Sequence, residues 1–408
     1  SATCRTIRQD GLNRVDTVHQ KNDVLNAIIE LLSRKGLKYD AGKLLDSFIN
    51  CGILDELGSS VLFRYRRFQE FFVAGYLRDN PETLTDVVQS KFLEYSKELD
   101  LFTGRFRQES ALLSVGRDYL QSVPVVEPKM DARAVEAYLK SIQRADFSRA
   151  QLRQMRREPM TAEKVDALLD KAEKRVAEKR RENEERGIDR GGALIQYMGA
   201  LELYSHFIRN LEFVDKEQKQ FHLRECFIAW ERTLRGMLSV LVEAIREIRN
   251  DIQEGKGDIP KDPKVIDFVE SLMASFFPSL LSQEIYRALG SEKLAEFVEE
   301  LACDIEQPPT FQLLCLFVLL ELNAPRGFQL LREFSERDNT EDWMFVAITQ
   351  RLFAYYSSRP LSLGLRGQFE NLVADIQMRL AGGKRGGFDR GRAIVEMKRH
   401  SFKERKEQ

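Results

Sequence analysis

Residues 61–77 read VLFRYRRFQEFFVAGYL, and the rest of the chain is organised around this stretch. Apolar and charged side chains alternate from Val61 to Arg66, which predicts a short strand. A helix follows at once, and its apolar residues recur at spacings of three and four: Phe68, Phe71, Phe72, Gly75 and Tyr76. Val73 and Leu77 widen this apolar face until little polar surface remains. We therefore expect the helix to be buried.

Two amphipathic helices precede this stretch. Apolar periodicity predicts the first over residues 23–34, with Gly36 as its terminator. The second is predicted over residues 39–50 and ends at Gly52. Each helix presents one apolar face, so we expect both to pack on a common core.

A hairpin separates the second helix from the helix that follows it. Residues 53–57 and 61–65 pair naturally across a short connection that contains Gly58. Two or three helices and a two-stranded wing predict a winged-helix domain over residues 22–80. The predicted fold class is therefore mainly all-α, with this winged-helix domain and its small β-hairpin followed by a helical bundle or by α-solenoid-like helices.

The stretch that contains the strand and the helix resembles a segment of the NACHT-type STAND NTPases. The residues that carry the resemblance are Phe63, Phe68, Gln69, Glu70, Phe71, Phe72, Ala74, Tyr76 and Leu77. In that family the segment ends the winged-helix domain that packs behind the ATPase core, and helical sensor modules follow it. The resemblance is specific over residues 61–77 and architectural beyond residue 80. The alternative interpretation is a strand followed by an ordinary core helix.

The resemblance also implies roles for individual residues. Where the family usually has a histidine that touches the phosphates of the bound nucleotide, this chain has Tyr65, which is a departure from the pattern. Arg64, Arg66 and Arg67 are our candidates for a switch interface, because a guanidinium group can pair bidentately with a carboxylate or phosphate in one state and be released in another. Three ordinary surface arginines beside a strand are the alternative.

Composition limits the classes of protein to consider. The chain has 408 residues, of which 43% are hydrophobic and 31% charged, as expected for a soluble protein with two or three domains. Its net charge of −1 gives no electrostatic reason to expect nucleic acid or an anionic membrane as the main partner. The five cysteines are odd in number and widely spaced, which predicts reduced thiols in a cytoplasmic protein.

Targeting segments are not evident in the sequence. Residues 1–20 are polar and basic, unlike a signal peptide, and the apolar run at 311–320 is shorter than the roughly 20 residues of a spanning helix. Because the chain opens without methionine, we expect it to be the C-terminal portion of a larger protein. We expect no membrane association.

Proline-rich and glycine-rich breaks predict a series of segments along the chain. They are an N-terminal segment (1–21), the winged helix (22–80), a helical connector (81–122), a linker (123–130), a helical domain with long helices (131–258), a C-terminal helical domain (259–381) and a flexible basic tail (382–408). The highly charged residues 161–186 are either a solvated helix face or an arm for a partner. No repeat of fixed period is visible.

Most of the second half is predicted to be helical. The predicted helices of the connector and of the later part of the chain span 84–101, 108–120, 193–213, 217–252, 265–277, 279–289, 291–305, 310–322, 327–337, 341–356 and 367–380. In the longest of them, apolar residues at intervals of three or four from Leu223 to Ile248 predict a seam against a neighbouring helix.

Catalytic motifs are absent from the sequence. No Gly-x-x-x-x-Gly-Lys-Ser/Thr loop occurs, so we expect no enzyme activity within this chain. The resemblance implies that ATP or ADP with magnesium binds to an upstream module, and we expect no cofactor and no metal here. His222 and Cys226 lie four residues apart, and we interpret them as buried structural residues rather than metal ligands. His206 is interpreted as a core or interface residue.

Two functions of different classes remain. The first is the regulatory and ligand-sensing region of a STAND-type NTPase, a bacterial defence receptor among the possibilities, which is autoinhibited and is released to form homo-oligomers. Its partners would be a protein ligand or its own NTPase module. The second is a winged-helix DNA-binding regulator with a helical ligand or dimerisation domain. Helix 39–50 argues against it, since Lys43 faces Asp40 and Asp46 and the helix is nearly neutral.

Overall fold

The computed structural model describes residues 18–123, 134, 137–138, 190–253, 263–337, 340–358 and 362–380. These residues form fourteen α-helices and one small three-stranded antiparallel sheet, which confirms the mainly all-α fold class. The chain divides into two compact units. Unit 1 contains residues 1–119 and 210–214, and unit 2 contains residues 120–209 and 215–408. The finer division of the chain into seven segments stays a prediction.

Unit 1 begins with the sheet and the helices around it. Its elements are β1 (Val18–Gln20), α1 (Lys21–Arg34), α2 (Ala41–Asn50), β2 (Leu54–Leu57), β3 (Ser60–Phe63), α3 (Arg66–Asp79), α4 (Pro81–Ser90) and α5 (Ser96–Arg105), and α6 (Ala111–Ser122) follows. The order of two helices, a hairpin and a further helix is the one expected for residues 22–80.

The predicted hairpin is confirmed, and a third strand accompanies it. β3 lies in the middle of the sheet, where Leu62 is opposite both Asp55 of β2 and Val18 of β1. β3 ends at Phe63, three residues before the predicted end of the alternation. The strand β1 was not predicted from the sequence, because three residues are too few to show an alternating pattern.

The predicted helices α1 and α2 are confirmed, and their apolar faces share one core with the hairpin. Its buried members include Val24, Ile28 and Leu32 of α1, Leu45 of α2 and Val61 of β3. The carboxylate of Asp40 caps α2 by accepting a hydrogen bond from the Lys43 N–H at 3.0 Å. Gly52 ends α2 at a φ of +76°, a conformation that side chains rarely adopt.

Helix α3 packs differently from the expectation. It lies against α5, and its buried face consists of Glu70, Val73, Ala74 and Leu77. These residues recur at intervals of three and four. Phe71 and Phe72 lie outside this set and are 45% and 39% exposed. The expectation that α3 is buried is therefore wrong for the side of the helix that carries these two rings.

The predicted helix over residues 84–101 is also wrong. The structure has two helices there, α4 and α5, and residues 91–95 separate them. Phe92 and Tyr95 in the connection are buried, and the ring of Phe92 stacks on Tyr119 of α6 with centroids 4.3 Å apart. Burial of these rings fixes the break, which helical periodicity alone does not show.

Unit 2 is helical throughout its described residues. Its elements are α7 (Arg190–Asn210, whose last residue belongs to unit 1), α8 (Lys216–Gln253), α9 (Pro263–Leu289), a 3₁₀ turn (Glu292–Leu294), α10 (Ala295–Ala302), α11 (Pro309–Leu322), α12 (Ala324–Ser335), α13 (Asp342–Ser358) and α14 (Leu363–Leu380). The predicted seam of α8 is confirmed by the burial of Leu223, Phe227, Trp230, Leu234, Leu241 and Ile245.

Helix α11 forms the centre of unit 2. It contacts α8, α9, α10 and α12, and most of its residues are buried on every side of the helix. Because α9 also contacts α13, neighbours in space are not only neighbours in sequence, as they would be in a solenoid. Of the two architectures that the sequence left open, the structure has the bundle.

Two features of unit 2 show how tightly its helices pack. A Cβ atom on Gly327 of α12 would lie 2.5 Å from the Cα atom of Leu320 in α11, so the crossing depends on glycine. The Arg351 guanidinium and the Glu321 carboxylate form an ion pair at 2.6 Å with side chains that are 1% and 7% exposed. The close helix crossing and the buried ion pair both require neighbouring atoms in fixed positions, as in a close-packed core.

One boundary in unit 2 corrects the sequence analysis. Residues 265–277 and 279–289 were expected to form two helices separated by Pro278. They form the single helix α9, with Pro278 inside it. Proline disfavours a helix interior by about 3 kcal/mol, and burial of the surrounding apolar residues offsets this locally. The linker 124–130, the charged run 161–186 and the tail 382–408 lie outside the described residues. No described helix combines the length and the apolar character needed to cross a membrane.

Candidate functional site at the start of helix α3

The hairpin places Arg64 beside Asp55. Arg64 follows the last residue of β3, and its backbone N–H donates to the Ile53 carbonyl at 3.0 Å, which extends the hairpin by one step. Its Nε and Nη2 atoms lie 2.9 and 2.7 Å from Oδ1 of Asp55. The hydrogen bond to Asp55 raises the pKa of Arg64 above its ordinary value. This guanidinium is therefore fixed to the hairpin.

Arg66 and Arg67 form a second arrangement, around a buried carboxylate. Nε of Arg66 lies 3.3 Å from Oε1 of Glu70, and Nη1 of Arg67 donates to Oε2 at 2.9 Å. The Glu70 side chain is 5% exposed, whereas those of Arg66 and Arg67 are 60% and 65% exposed. Both arginines thus pair with one carboxylate through only part of their donor groups, and their remaining N–H groups face solvent.

Tyr65 occupies the N-cap position of α3. Its backbone is extended, and its carbonyl accepts a hydrogen bond from the Phe68 N–H at 2.9 Å. The side chain makes no capping hydrogen bond and is 62% exposed, with its ring edge-on to Phe68 at 5.6 Å. The phenol therefore lies at the positive end of a helix dipole, where negative charge is favoured.

The remaining residues of the segment divide between two surfaces of α3. Ala74 and Leu77 are buried towards α5. Phe63 and Phe72 contact each other at 6.2 Å between ring centroids, so the helix contacts the hairpin. Gln69 and Tyr76 are half-buried, and the Tyr76 carbonyl accepts a hydrogen bond from Asn80 at 2.8 Å. The segment therefore joins the hairpin to α5 and leaves its aromatic side partly open.

His222 and Cys226 belong to a buried polar network. The Nδ1 atom of His222 lies 2.7 Å from the hydroxyl of Tyr204, and the Cys226 thiol lies 3.2 Å from the hydroxyl of Ser205. Burial raises the pKa of Cys226 to about 12, so its thiol stays protonated at neutral pH. The described residues contain no cluster of three potential metal ligands. His206 is half-buried in the same helix α7 as Tyr204.

The structure brings the predicted switch residues together but assigns them two different carboxylates. Sequence reasoning missed both partners. Glu70 could have been found, because it follows Arg66 and Arg67 at the spacings of four and three that place side chains on one helix face. The partner Asp55 depends on the pairing of β2 with β3, and no local spacing shows it.

One comparison with known proteins matches the same part of the chain. Residues 19–73 match the family model described as Novel STAND NTPase 4. The match runs from β1 into α3 and includes Tyr65 and all three arginines of the candidate switch. It supports a relation between this chain and the STAND NTPases, which are signalling NTPases. No curated protein and no solved structure matches the chain.

Proposed function

We propose that this chain is the regulatory and ligand-sensing region of a STAND-type signalling NTPase of the NACHT kind. The match over residues 19–73 is the observation that carries the proposal. In the proposed arrangement, β1 to α3 form the winged-helix domain that ends the NTPase module, and the helices of unit 2 form the sensor. The NTPase module would bind ATP or ADP with magnesium, and catalysis would take place there and not in this chain.

The proposed control is autoinhibition through the start of α3. The exposed donor groups of Arg66 and Arg67 would pair with carboxylates of the NTPase module or with nucleotide phosphates in the closed state. Glu70 would keep both arginines in position for this contact. Tyr65, exposed beside them, would reach the same partner in place of the histidine of the family. Capture of a protein ligand by unit 2 would break these contacts.

The proposed outcome of release is homo-oligomerisation. Unit 1 exposes large apolar side chains that a partner surface would cover, among them Leu37, Tyr39 and Leu57. The setting that we propose is a cytoplasmic receptor of the kind that serves in bacterial antiviral defence, and the family resemblance is its support. For the alternative DNA-binding function, α2 exposes Lys43 and Asp46 together, so this helix does not favour phosphate binding.

The test uses the complete gene product. We expect the coding sequence upstream of Ser1 to encode a P-loop and an acidic Walker B strand. The variant R66A/R67A is then expected to oligomerise without ligand in the presence of ATP and magnesium, as measured by light scattering after size-exclusion chromatography. The double variant R287A/R332A, which removes two exposed arginines in the last turns of unit 2 helices, is the control and should behave as wild type.

Oligomerisation of R66A/R67A without ligand could result from a loosened unit 1 or from a lost contact with the NTPase module, and the variant E70Q separates these two causes. If loss of the Glu70 ion pairs alone loosens unit 1, E70Q will oligomerise as strongly as R66A/R67A. If the arginines act on the NTPase module, E70Q will oligomerise less than R66A/R67A, because both guanidinium groups remain although the Glu70 carboxylate no longer holds them in position. Absence of a P-loop upstream, or a wild-type oligomeric state in R66A/R67A, would contradict the proposal.

A further inference from the structure

The most informative feature that the proposed function leaves unused is a cavity of about 570 Å³ in unit 1. It lies between the core of α1, α2 and the hairpin on one side and the outer faces of α3 and α5 on the other. Its walls are mainly apolar and aromatic, and they include the two exposed phenylalanines of α3, Phe71 and Phe72. Small-molecule sites have volumes of about 300–1,000 Å³ and walls of this kind.

The mouth of this cavity is positively charged. Arg34 and Lys35 at the end of α1, Arg78 at the end of α3 and Arg105 at the end of α5 all line it. Within the described part of the chain, none of these four cations forms an ion pair, and Asp79 is the one acidic residue among the lining residues. An apolar cavity with an excess of unpaired cations at its mouth is complementary to an amphiphilic anion.

The arginines are also held in place. The Arg105 guanidinium lies 4.7 Å from the centroid of the Phe71 ring and 5.3 Å from that of the Phe106 ring. The Arg78 guanidinium also lies near Phe106, 4.7 Å from its ring centroid. Stacking occupies the faces of the guanidinium groups and leaves the N–H groups at their edges for a carboxylate or phosphate. Two fork-shaped donors thus lie beside the aromatic wall before any ligand arrives.

Helix dipoles explain part of this charge but not all of it. Arg34, Arg78 and Arg105 lie in the last turns of their helices, where cations offset a negative end of roughly half an elementary charge. The four positive charges of Arg34, Lys35, Arg78 and Arg105 together exceed the negative partial charges at the ends of these three helices. Residues 1–17 are a poor anionic occupant for this cavity, because their three arginines outnumber Asp10 and Asp16.

We propose that this cavity binds a small amphiphilic carboxylate, with its apolar chain among Phe71, Phe72 and the hairpin core and its head group at Arg78 and Arg105. A ligand held there would join α1 and the hairpin to α3 and α5. Its binding would therefore stabilise the arrangement of these elements in unit 1. The proposal uses the cavity alone and does not depend on the relation to NTPases.

Dodecanoate and the neutral dodecanol of equal chain length are the probes, added to the full chain below their micellar concentrations. Isothermal titration calorimetry should give an affinity for dodecanoate about tenfold or more above that for dodecanol, since charged hydrogen bonds add to apolar burial. R78Q/R105Q should reduce the dodecanoate affinity to that of dodecanol. The matched control R287Q/R332Q, in the last turns of α9 and α12, should leave both affinities unchanged.

A cavity-filling variant tests the location. A Cβ atom at Gly75 would meet only Arg105 Nη1, at 3.5 Å, and Gly75 lines the cavity, so G75L adds a side chain at the cavity wall. It should abolish binding of both probes while circular dichroism stays that of the wild type. G236L, at a helical glycine of α8 with open space around it, should bind both probes normally.

Several outcomes would overturn the proposal. They are equal affinity for the two probes, full binding to G75L, or no binding to the folded wild-type chain. A membrane surface is tested with vesicles of phosphatidylcholine and phosphatidylglycerol. Co-sedimentation that depends on Arg78 and Arg105, without uptake of free dodecanoate, would assign these arginines to lipid head groups and so reject the cavity ligand.

Discussion

The two units differ in how much apolar surface they cover for themselves. Among the described residues, nine large apolar side chains are exposed in unit 1 and four in unit 2, although unit 2 is larger. Those of unit 1 are Val18, Ile29, Leu37, Tyr39, Leu57, Tyr65, Phe71, Phe72 and Phe213, and those of unit 2 are Phe221, Val240, Phe276 and Ile305. Unit 1 therefore leaves more apolar surface to solvent than unit 2 does, and exposed apolar surface of sufficient extent marks an interaction site.

The same contrast holds for charged groups. In unit 2, Arg351 and Glu321 are buried against each other, and Glu231 is held by both Thr310 and Arg235 at 2.9 and 2.8 Å. In unit 1, the side chains of Arg66 and Arg67 are 60% and 65% exposed and that of Arg64 is 46% exposed, although each has a carboxylate partner. Unit 2 thus holds charged groups such as Arg351 and Glu231 within its own packing. In unit 1, the arginines at the start of α3 keep donors available for a partner.

The largest expected effect tests the burial of charged groups in unit 2. R351M removes the cation of a buried pair and leaves the Glu321 carboxylate without it, which should lower the free energy of unfolding by about 3–5 kcal/mol. Both tryptophans, Trp230 and Trp343, belong to unit 2, so tryptophan emission during urea unfolding reports on this unit. Hydrogen exchange of unit 1 peptides should not change.

The control for this change is the exposed pair of Arg332 and Glu336 in the same unit. Its side chains are 67% and 53% exposed, so R332M should cost no more than about 1 kcal/mol. The double variant R351M/E321L should recover much of the loss, because apolar residues can replace a buried ion pair. Loss of unit 1 protection together with unit 2 in R351M would show one cooperative body and end the distinction between the units.

A smaller effect compares helical glycines of the two units. G327A places a Cβ atom against the backbone of α11, and overpacking of this kind costs about 1–3 kcal/mol. G75A meets only the flexible end of Arg105, so the better helix propensity of alanine should stabilise α3 by up to about 1 kcal/mol. Tryptophan emission measures the first variant, and amide exchange of α3 measures the second.

The reference for both glycine variants is G236A, which has open space around it. It should stabilise α8 by about the same amount as G75A stabilises α3, because alanine gains helix propensity at both sites without a clash. If G327A proves as harmless as G236A, the close crossing of α12 and α11 does not limit unit 2, and the contrast in packing between the units is lost.

Much of this contrast could not be predicted from the sequence. Periodicity predicts most helices, the hairpin and the buried seam of α8, because these depend on residues close together in the chain. It fails where distant contacts decide the outcome. Phe92 and Tyr95 break a predicted helix by packing elsewhere, and Pro278 stays inside α9 because its surroundings hold the helix together.

The candidate site shows the same limit. The arginines and Tyr65 were found from the family segment, and the spacing of Arg66 and Arg67 to Glu70 was visible in the sequence. The exposure of Phe71 and Phe72 was not, since an apolar stripe looks the same whether it faces a core or an open cavity. Only the position of α5, which covers the opposite face of α3, decides between the two.

The smallest expected effect concerns one carboxylate in each unit, the exposed Asp40 and the half-buried Asp304. The Lys43 N–H bound to Asp40 in unit 1, and the Arg224 guanidinium bound to Asp304 in unit 2, lower the pKa of these carboxylates. Each therefore adds stability that is fully present above the unfolded pKa of about 3.9 and is lost as the pH falls through the folded value. Both units should weaken slightly in acid for this reason.

Asparagine variants separate the two causes. D40N keeps an oxygen that accepts from the Lys43 N–H, so α2 should stay capped while its protection becomes less sensitive to acid. D304N loses the charge that pairs with Arg224 at 2.8 Å, so the stability that this ion pair contributes to unit 2 should be lost at neutral pH as well as in acid. Each variant is incubated between about pH 3 and 6, a range that includes the carboxylate pKa. A hydrogen-exchange pulse at a fixed pH then measures the protection of α2 and of unit 2. Equal acid sensitivity of D40N and the wild type would show that the cap, and not its charge, is what α2 requires.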